Sequence, residues 1–202
     1  MFVLGLEASA NATPELTNPN NLAVSYSSSN PNVATVDAQG NVTILALGQT
    51  IITASSAATD KYYEGKASYT ISVGPKEGEI LDVATSIAAI NNGFEGTLTT
   101  KGIVSRVTYF NSNYGSVTYY ISDNGSTTGD LQVYGGLGLD GKQFTSKDDV
   151  EVGATVVVNG KVKLYNGAPE FDTNSVMLEY TPVVEPEPAY SVTFNFTGVE
   201  DA

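Results

Sequence analysis

Residues 116–135, SVTYYISDNGSTTGDLQVYG, decide how the second half of the chain is read. Val117, Tyr119 and Ile121 alternate with Thr118, Tyr120 and Ser122. Beyond the turn-rich residues 123–129, Leu131 and Val133 alternate with Gln132 and Tyr134. Period-two alternation places the two sets on opposite faces of a strand. Alternation on both sides of an Asn-Gly-containing loop is the strongest short-range sign of a hairpin. This hairpin is the centre of a longer run, 96–180, that holds five strand-like segments.

Working outward, residues 98–110 read as the first strand, bent at Gly102. After the hairpin, a loop carrying Gly135-Gly136, Gly138 and Gly141 leads to a helical turn near 146–150. The fourth strand is 154–165 with a bend at Gly160, and Asn166-Gly167 turns tightly into a fifth, 170–180. A long kinked strand, a hairpin, a loop and a second hairpin make the layout of a five-stranded Greek-key barrel. Glycines inside its strands mark the sharp coiling that a small barrel needs. Ahead of it, 82–91 reads as a helix. Asp82 is its N-cap, Val83, Ile87 and Ile90 recur at helical spacing, and Asn92-Gly93 ends it.

The first 74 residues hold short strands at 2–6, 23–28, 33–37, 41–45, 50–55 and 68–73. Turn clusters such as Asn18-Pro19-Asn20-Asn21, Ser29-Asn30-Pro31-Asn32 and Ala38-Gln39-Gly40-Asn41 separate them. That spacing predicts a β-sandwich, with Tyr26, Val33, Val36, Val42, Ile52, Tyr69, Ile71 and Val73 facing inward. The fold class is therefore all-β: a β-sandwich at 1–74, a linker at 75–79, and a five-stranded Greek-key barrel with its leading helix at 80–181. A Pro/Glu linker follows at 182–190. The alternating Val192, Phe194 and Phe196 predict the first strand of a further domain at 191–202.

The net charge is −13, and acidic residues outnumber basic ones in every part of the chain. Nucleic-acid binding rests mainly on Lys and Arg neutralising phosphates, so the balance argues against that partner. With no histidine and no cysteine, Ser-His and Cys-His nucleophiles, disulfides and nearly every zinc or copper site are excluded. No apolar run approaches the ~20 residues of a membrane-spanning helix. The first twelve residues lack a basic segment, and Glu7 interrupts their apolar run, so they read as a strand rather than a signal peptide. The chain is expected to start inside a longer protein or to lack its export signal.

Two resemblances sharpen this reading. Residues 28–37 (SSNPNVATVD), then Gly40-Asn41-Val42-Thr43, Gly48, Ile52-Thr53-Ala54 and the closing Ala67-Ser68-Tyr69-Thr70-Ile71-Ser72-Val73 resemble the bacterial immunoglobulin-like domain of group two. Tyr26 stands where that family often has a tryptophan. The second half resembles an OB-fold module of exported multidomain Bacteroides proteins. That likeness rests on Lys101-Gly102-Ile103-Val104, Tyr119-Tyr120-Ile121-Ser122-Asp123, Leu131-Gln132-Val133-Tyr134, Val152-Gly153, residues 156–161 (VVVNGK) and Tyr165-Asn166-Gly167-Ala168-Pro169-Glu170. The resemblances imply an exported, extracellular or cell-surface bacterial protein, with the sandwich as spacer or adhesion module. They bring no catalytic residue.

OB-folds bind oligonucleotides or oligosaccharides on the face of strands two and three. The outward residues there are Tyr120, Gln132 and Tyr134, and the two rings are expected to lie near each other if the hairpin register is symmetric about its loop. Exposed strand tyrosines also serve simple cross-strand packing. Lys161, Lys163 and Tyr165 share the outward face of strand four, with Arg106 on strand one. Basic residues beside aromatics are the pattern of single-strand nucleic-acid grooves, although so few cations in an acidic module make a thin footprint. Asp123-Asn124-Gly125, Asp130, Asp140-Gly141 and Asp148-Asp149 bring oxygen ligands to mind, yet none has the spacing of a calcium loop and such pairs are turn chemistry first. No catalytic residue, metal site or cofactor is expected. The reading is a non-catalytic binding segment for a glycan or protein ligand. The alternatives are single-stranded nucleic-acid binding, or accessory domains of a larger secreted hydrolase.

Overall fold

The computed structural model describes residues 2–5 and 14–184, with side chains from residue 14 onward. The expectations that fall at 6–13 and beyond 184, including the strand expected at 191–202, lie outside the described residues.

The N-terminal part is built from β1 (Phe2–Gly5), β2 (Val24–Ser28), β3 (Ala34–Val36), β4 (Val42–Ile44), β5 (Gly48–Ser56) and β6 (Gly65–Gly74). One sheet runs β1-β6-β5-β2, with β1 parallel to β6, and β3-β4 form a second, two-stranded sheet. Val33, Val42, Ile52, Ile71 and Val73 are buried between them, while Val36 and Tyr69 pack at the edge of that core. Tyr26 is half-buried, its ring lying across the β3–β4 turn. A Cβ on Gly40 would come within 2.9 Å of the ring, so the left-handed glycine (φ +89°) makes room for it. The Asp37 carboxylate ties the same turn by accepting from the backbone N–H groups of Gln39 and Asn41, and its pKa is lowered mainly by its bond to the Asn41 amide.

Helix α1 (Val83–Asn91) follows. Its first turn is capped twice. Asp82 accepts from the Thr85 N–H at 2.6 Å, and Asp123, from the loop after the next hairpin strand, accepts from the Val83 and Ala84 N–H groups at 2.7 and 3.0 Å. A carboxylate at a helix N-terminus satisfies orphan donors and complements the dipole. At the other end the Asn92 carbonyl accepts from the Gln49 N–H at 2.9 Å, and its side chain donates to the Leu47 carbonyl at 3.3 Å. The helix is thereby joined to strand β5 of the sandwich. Gly48 sits in that contact, where a Cβ would meet Asn92 at 2.5 Å and Val33 at 2.6 Å.

The barrel comprises β7 (Thr97–Asn111), β8 (Ser116–Ser122), β9 (Leu131–Leu139), β10 (Thr155–Tyr165), β11 (Ala168–Phe171) and β12 (Val176–Thr181). β7, β8 and β9 form an antiparallel meander; β9 then runs parallel to β11 and β12, and both of these pair with β10. β10 returns to β7, from Thr155 opposite Ile103 to Lys161 opposite Thr97, and closes the ring. Leu98, Val104, Val117, Tyr119, Ile121, Leu131, Val133, Val156, Val158 and Phe171 fill the interior.

Two expectations are corrected. The fifth strand is not continuous over 170–180, because residues 172–175 break it into β11 and β12. At the break Ser175 lies close against Gly160: a Cβ on Gly160 would lie 2.4 Å from the Ser175 Cβ and 2.9 Å from its Cα. The glycines expected to open a loop after Tyr134 instead lie within β9, which reaches Leu139. Gly135 (φ +56°) shifts the register against β8, and Gly136 lies against Tyr119. Gly102 has an extended conformation; its role is close approach, with Val83 of α1 at 2.8 Å from where a Cβ would stand.

Candidate functional site

Direct partners across a ladder share a face of the sheet. Four consecutive pairings therefore lay one row of five side chains around the outside of the barrel. Arg106 stands opposite Tyr120, Tyr120 opposite Gln132, Gln132 opposite Glu170 and Glu170 opposite Lys163. Three of the expected site residues, Tyr120, Gln132 and Lys163, lie in this row.

The row is internally satisfied. The Arg106 guanidinium lies 3.5 Å above the centre of the Tyr120 ring and makes a two-pronged contact with Asp130 at 2.9 and 3.3 Å. The Tyr120 hydroxyl donates to the Gln132 side-chain carbonyl at 3.0 Å. At the far end, Lys163 donates to Asp172 at 2.7 Å and lies 3.5 Å from Glu170. Asp172 is the stronger partner, and its bond to Lys163 lowers its pKa and raises that of the lysine. Glu170 is 4% exposed; burial pushes its pKa up, and the attraction of Lys163 offsets only part of that. Each end of the row is a cation already held by protein carboxylates.

Lys161 and Tyr165 flank Lys163 along β10 and are exposed. The Lys163 ammonium is 5.5 Å from the centre of the Tyr165 ring. Tyr134 is not in the row. The register places Tyr120 against Gln132, so the two tyrosines expected to be neighbours belong to different patches.

Tyr134 belongs to a cleft of about 510 Å³ at one end of the barrel. Tyr109, on β7 opposite Thr118, forms one wall. Tyr114, in the short turn between β7 and β8, forms another, and Gln143 and Asn174 come from the loops after β9 and β11. The three rings are exposed by 58%, 69% and 46% for Tyr109, Tyr114 and Tyr134. Gln143 folds back over Gly115 (φ +57°), where a Cβ would meet it at 2.5 Å. The neighbouring Phe144 N–H donates to the Gly115 carbonyl at 2.7 Å and holds the loop down. Among the described residues, none of the three phenol hydroxyls and neither the Gln143 nor the Asn174 side chain has a hydrogen-bond partner. Among the described residues, the lining carries no charged side chain.

Sequence reasoning placed Tyr134 on an outward face but missed Tyr109, Tyr114, Gln143 and Asn174. Tyr114 had a local signal: a tyrosine between Asn113 and Gly115, in a turn between two alternating strands, has no core to enter. The other three are brought together by tertiary structure alone. Of the acidic turns weighed as oxygen clusters, those at Asp123, Asp130 and Asp148-Asp149 have structural partners. Asp123 caps α1, Asp130 holds Arg106, and Asp149 accepts from the backbone of Thr145 and Ser146.

Residues 21–58 match the family model described as intimin, immunoglobulin-like domain, which supports a bacterial immunoglobulin-like domain within the N-terminal sandwich. A domain of that type suggests a surface-associated, modular, adhesion-type protein. No curated protein matches the chain. Among the described residues, no helix is long and apolar enough to cross a membrane.

Proposed function

We propose that this chain is a non-catalytic binding segment of a bacterial cell-surface protein, in which the sandwich is a spacer or adhesion module and the barrel, an OB-type module, engages a glycan. The cleft of Tyr109, Tyr114 and Tyr134 carries this reading. Its volume falls within the roughly 300–1,000 Å³ of small-molecule sites, which are concave and mostly apolar with a few polar groups. A sugar ring has an apolar C–H face and a rim of hydroxyls. A tyrosine offers a flat apolar face with a polar tip, and an amide both donates and accepts. The free amides of Gln143 and Asn174 stand beside free phenol rings, a pairing suited to such a ligand. Among the described residues its lining holds no carboxylate and no cation, so the pair of carboxylates a glycoside hydrolase commonly uses has no counterpart there.

The strand order supports the OB-type assignment: a meander, a return strand that closes on the first, and a last strand split between the third and fourth. The match at residues 21–58 supports the surface location. Nucleic acid is disfavoured because Arg106 and Lys163 are held by Asp130 and Asp172 and release few counterions on binding phosphates.

Calorimetric titration of the chain with a panel of soluble polysaccharides tests the proposal. Binding of at least one member, lost on Tyr134→Ala, is expected. An oligonucleotide that binds more tightly than every glycan, with affinity falling steeply in salt, would replace this reading with the nucleic-acid one.

A further inference from the structure

We infer that the cleft selects uncharged sugar units and discriminates against glycans bearing carboxylate or sulfate groups, an inference that rests on the glycan reading above. The lining offers rings, amides and hydroxyls but no lysine or arginine. An anionic substituent in contact with it gives up part of its water without a cation to replace it, which costs free energy. The surroundings add to the penalty, because the chain carries a net charge of −13 and its field repels anions at a distance. Of the barrel's cations, Lys142 lies next to Gln143 in sequence but outside the lining, and two others point elsewhere. Arg106 and Lys163 are turned to Asp130 and Asp172 instead, at 2.9 and 2.7 Å, so neither is available to an incoming anion.

Uncharged hydroxyls, in contrast, find donors and acceptors with no competing partner. The three phenol hydroxyls and the amides of Gln143 and Asn174 are free among the described residues. A site whose polar groups wait for hydroxyls rejects a ligand that leaves them unpaired. Gln143 is held in place by Gly115, over which it folds with no room for a Cβ. It is therefore the position where charge introduced into the lining will most directly change what enters.

The test uses the whole chain and matched pairs of oligosaccharides: a neutral member, and the same backbone with uronic acid or sulfate groups. Calorimetry is run at low and physiological salt. The expected result is binding of a neutral member with affinity unchanged within about twofold by salt, and at least tenfold weaker binding of its anionic counterpart. Gln143→Lys should narrow or reverse that ratio, whereas Gln143→Glu should widen it, and thermal melting of both variants checks that they fold. If the anionic member binds as tightly as the neutral one, the selectivity inference falls while the glycan reading stands. If no glycan of either kind binds the folded chain, both fall. If Gln143→Lys binds normally but leaves the ratio unchanged, the assignment of selectivity to this cleft is overturned.

Discussion

Tyr120 and Tyr134 lie on adjacent barrel strands and both point outward, yet their surroundings are opposite. The Tyr120 ring is covered by Arg106 and its hydroxyl is spent on Gln132. Tyr134 stands with Tyr109 and Tyr114 around a cleft in which no phenol hydroxyl has a partner. The row through Tyr120 is a belt of cross-strand contacts that holds the barrel surface together. The cleft has unspent hydrogen-bonding capacity and exposed apolar rings. An exposed aromatic is therefore informative about binding only when its polar tip and its faces are free. Exposure alone does not separate a cross-strand packing residue from a docking residue.

The difference can be broken most forcefully from the cleft side. Replacing Tyr109 and Tyr114 together by alanine removes two of three rings. At about 2 kcal/mol for an anchoring tyrosine, this should weaken binding of a responding glycan by 100-fold or more without changing the melting temperature appreciably. Calorimetry and thermal melting read the two effects.

The belt should respond in the opposite sense. Lys163→Ala leaves Glu170 buried without its cation, which at neutral pH should cost about 1–3 kcal/mol of stability while glycan affinity stays within about twofold. Denaturant melts measure the first and calorimetry the second. Glu170→Gln sharpens the same point through pH. The folded carboxyl has a pKa raised above its ordinary 4.5 by burial. Its neutral form is thus favoured by folding, and that contribution is complete below 4.5 and lost as pH rises through the folded pKa. The stability of Glu170→Gln relative to the parent should therefore increase as pH rises from 4.5 and then level off. A difference independent of pH would mean that Glu170 is not desolvated by the belt.

The smallest effect concerns the interior wall behind both patches. Tyr119 is fully buried and its hydroxyl has no partner among the described residues; burial alone pushes its pKa far up. Tyr119→Phe removes an unpaired polar atom and should stabilise the chain by up to about 1 kcal/mol, leaving binding untouched.

What the sequence disclosed and what it withheld follow from the range of the interactions. Hairpin alternation, the Asp82 N-cap and the Asn166-Gly167 turn, whose φ angles are +51° and +81°, are local and were legible. Barrel closure could be expected from strand count and glycine placement. The split after Phe171 could not, because β11 and β12 pair with different stretches of β10, which no local pattern encodes. The site followed the same rule. Tyr134 was legible as outward-facing from its alternation with Val133. That Tyr120 is already occupied depends on register with β7 and β9, and the partnership of Tyr109, Gln143 and Asn174 depends on where one strand and two separate loops come together. Lys161 and Tyr165 are exposed on β10 beside Lys163, the outward placement that alternation predicted.

The most direct measurement compares Tyr134→Ala with Tyr120→Ala against one neutral glycan that binds the parent chain. Tyr134→Ala should lose at least tenfold in affinity with its melting temperature preserved, and Tyr120→Ala should bind within about threefold of the parent while melting earlier. Equal losses of affinity, or a loss confined to Tyr120→Ala, would contradict the division of this surface into a structural belt and a binding cleft.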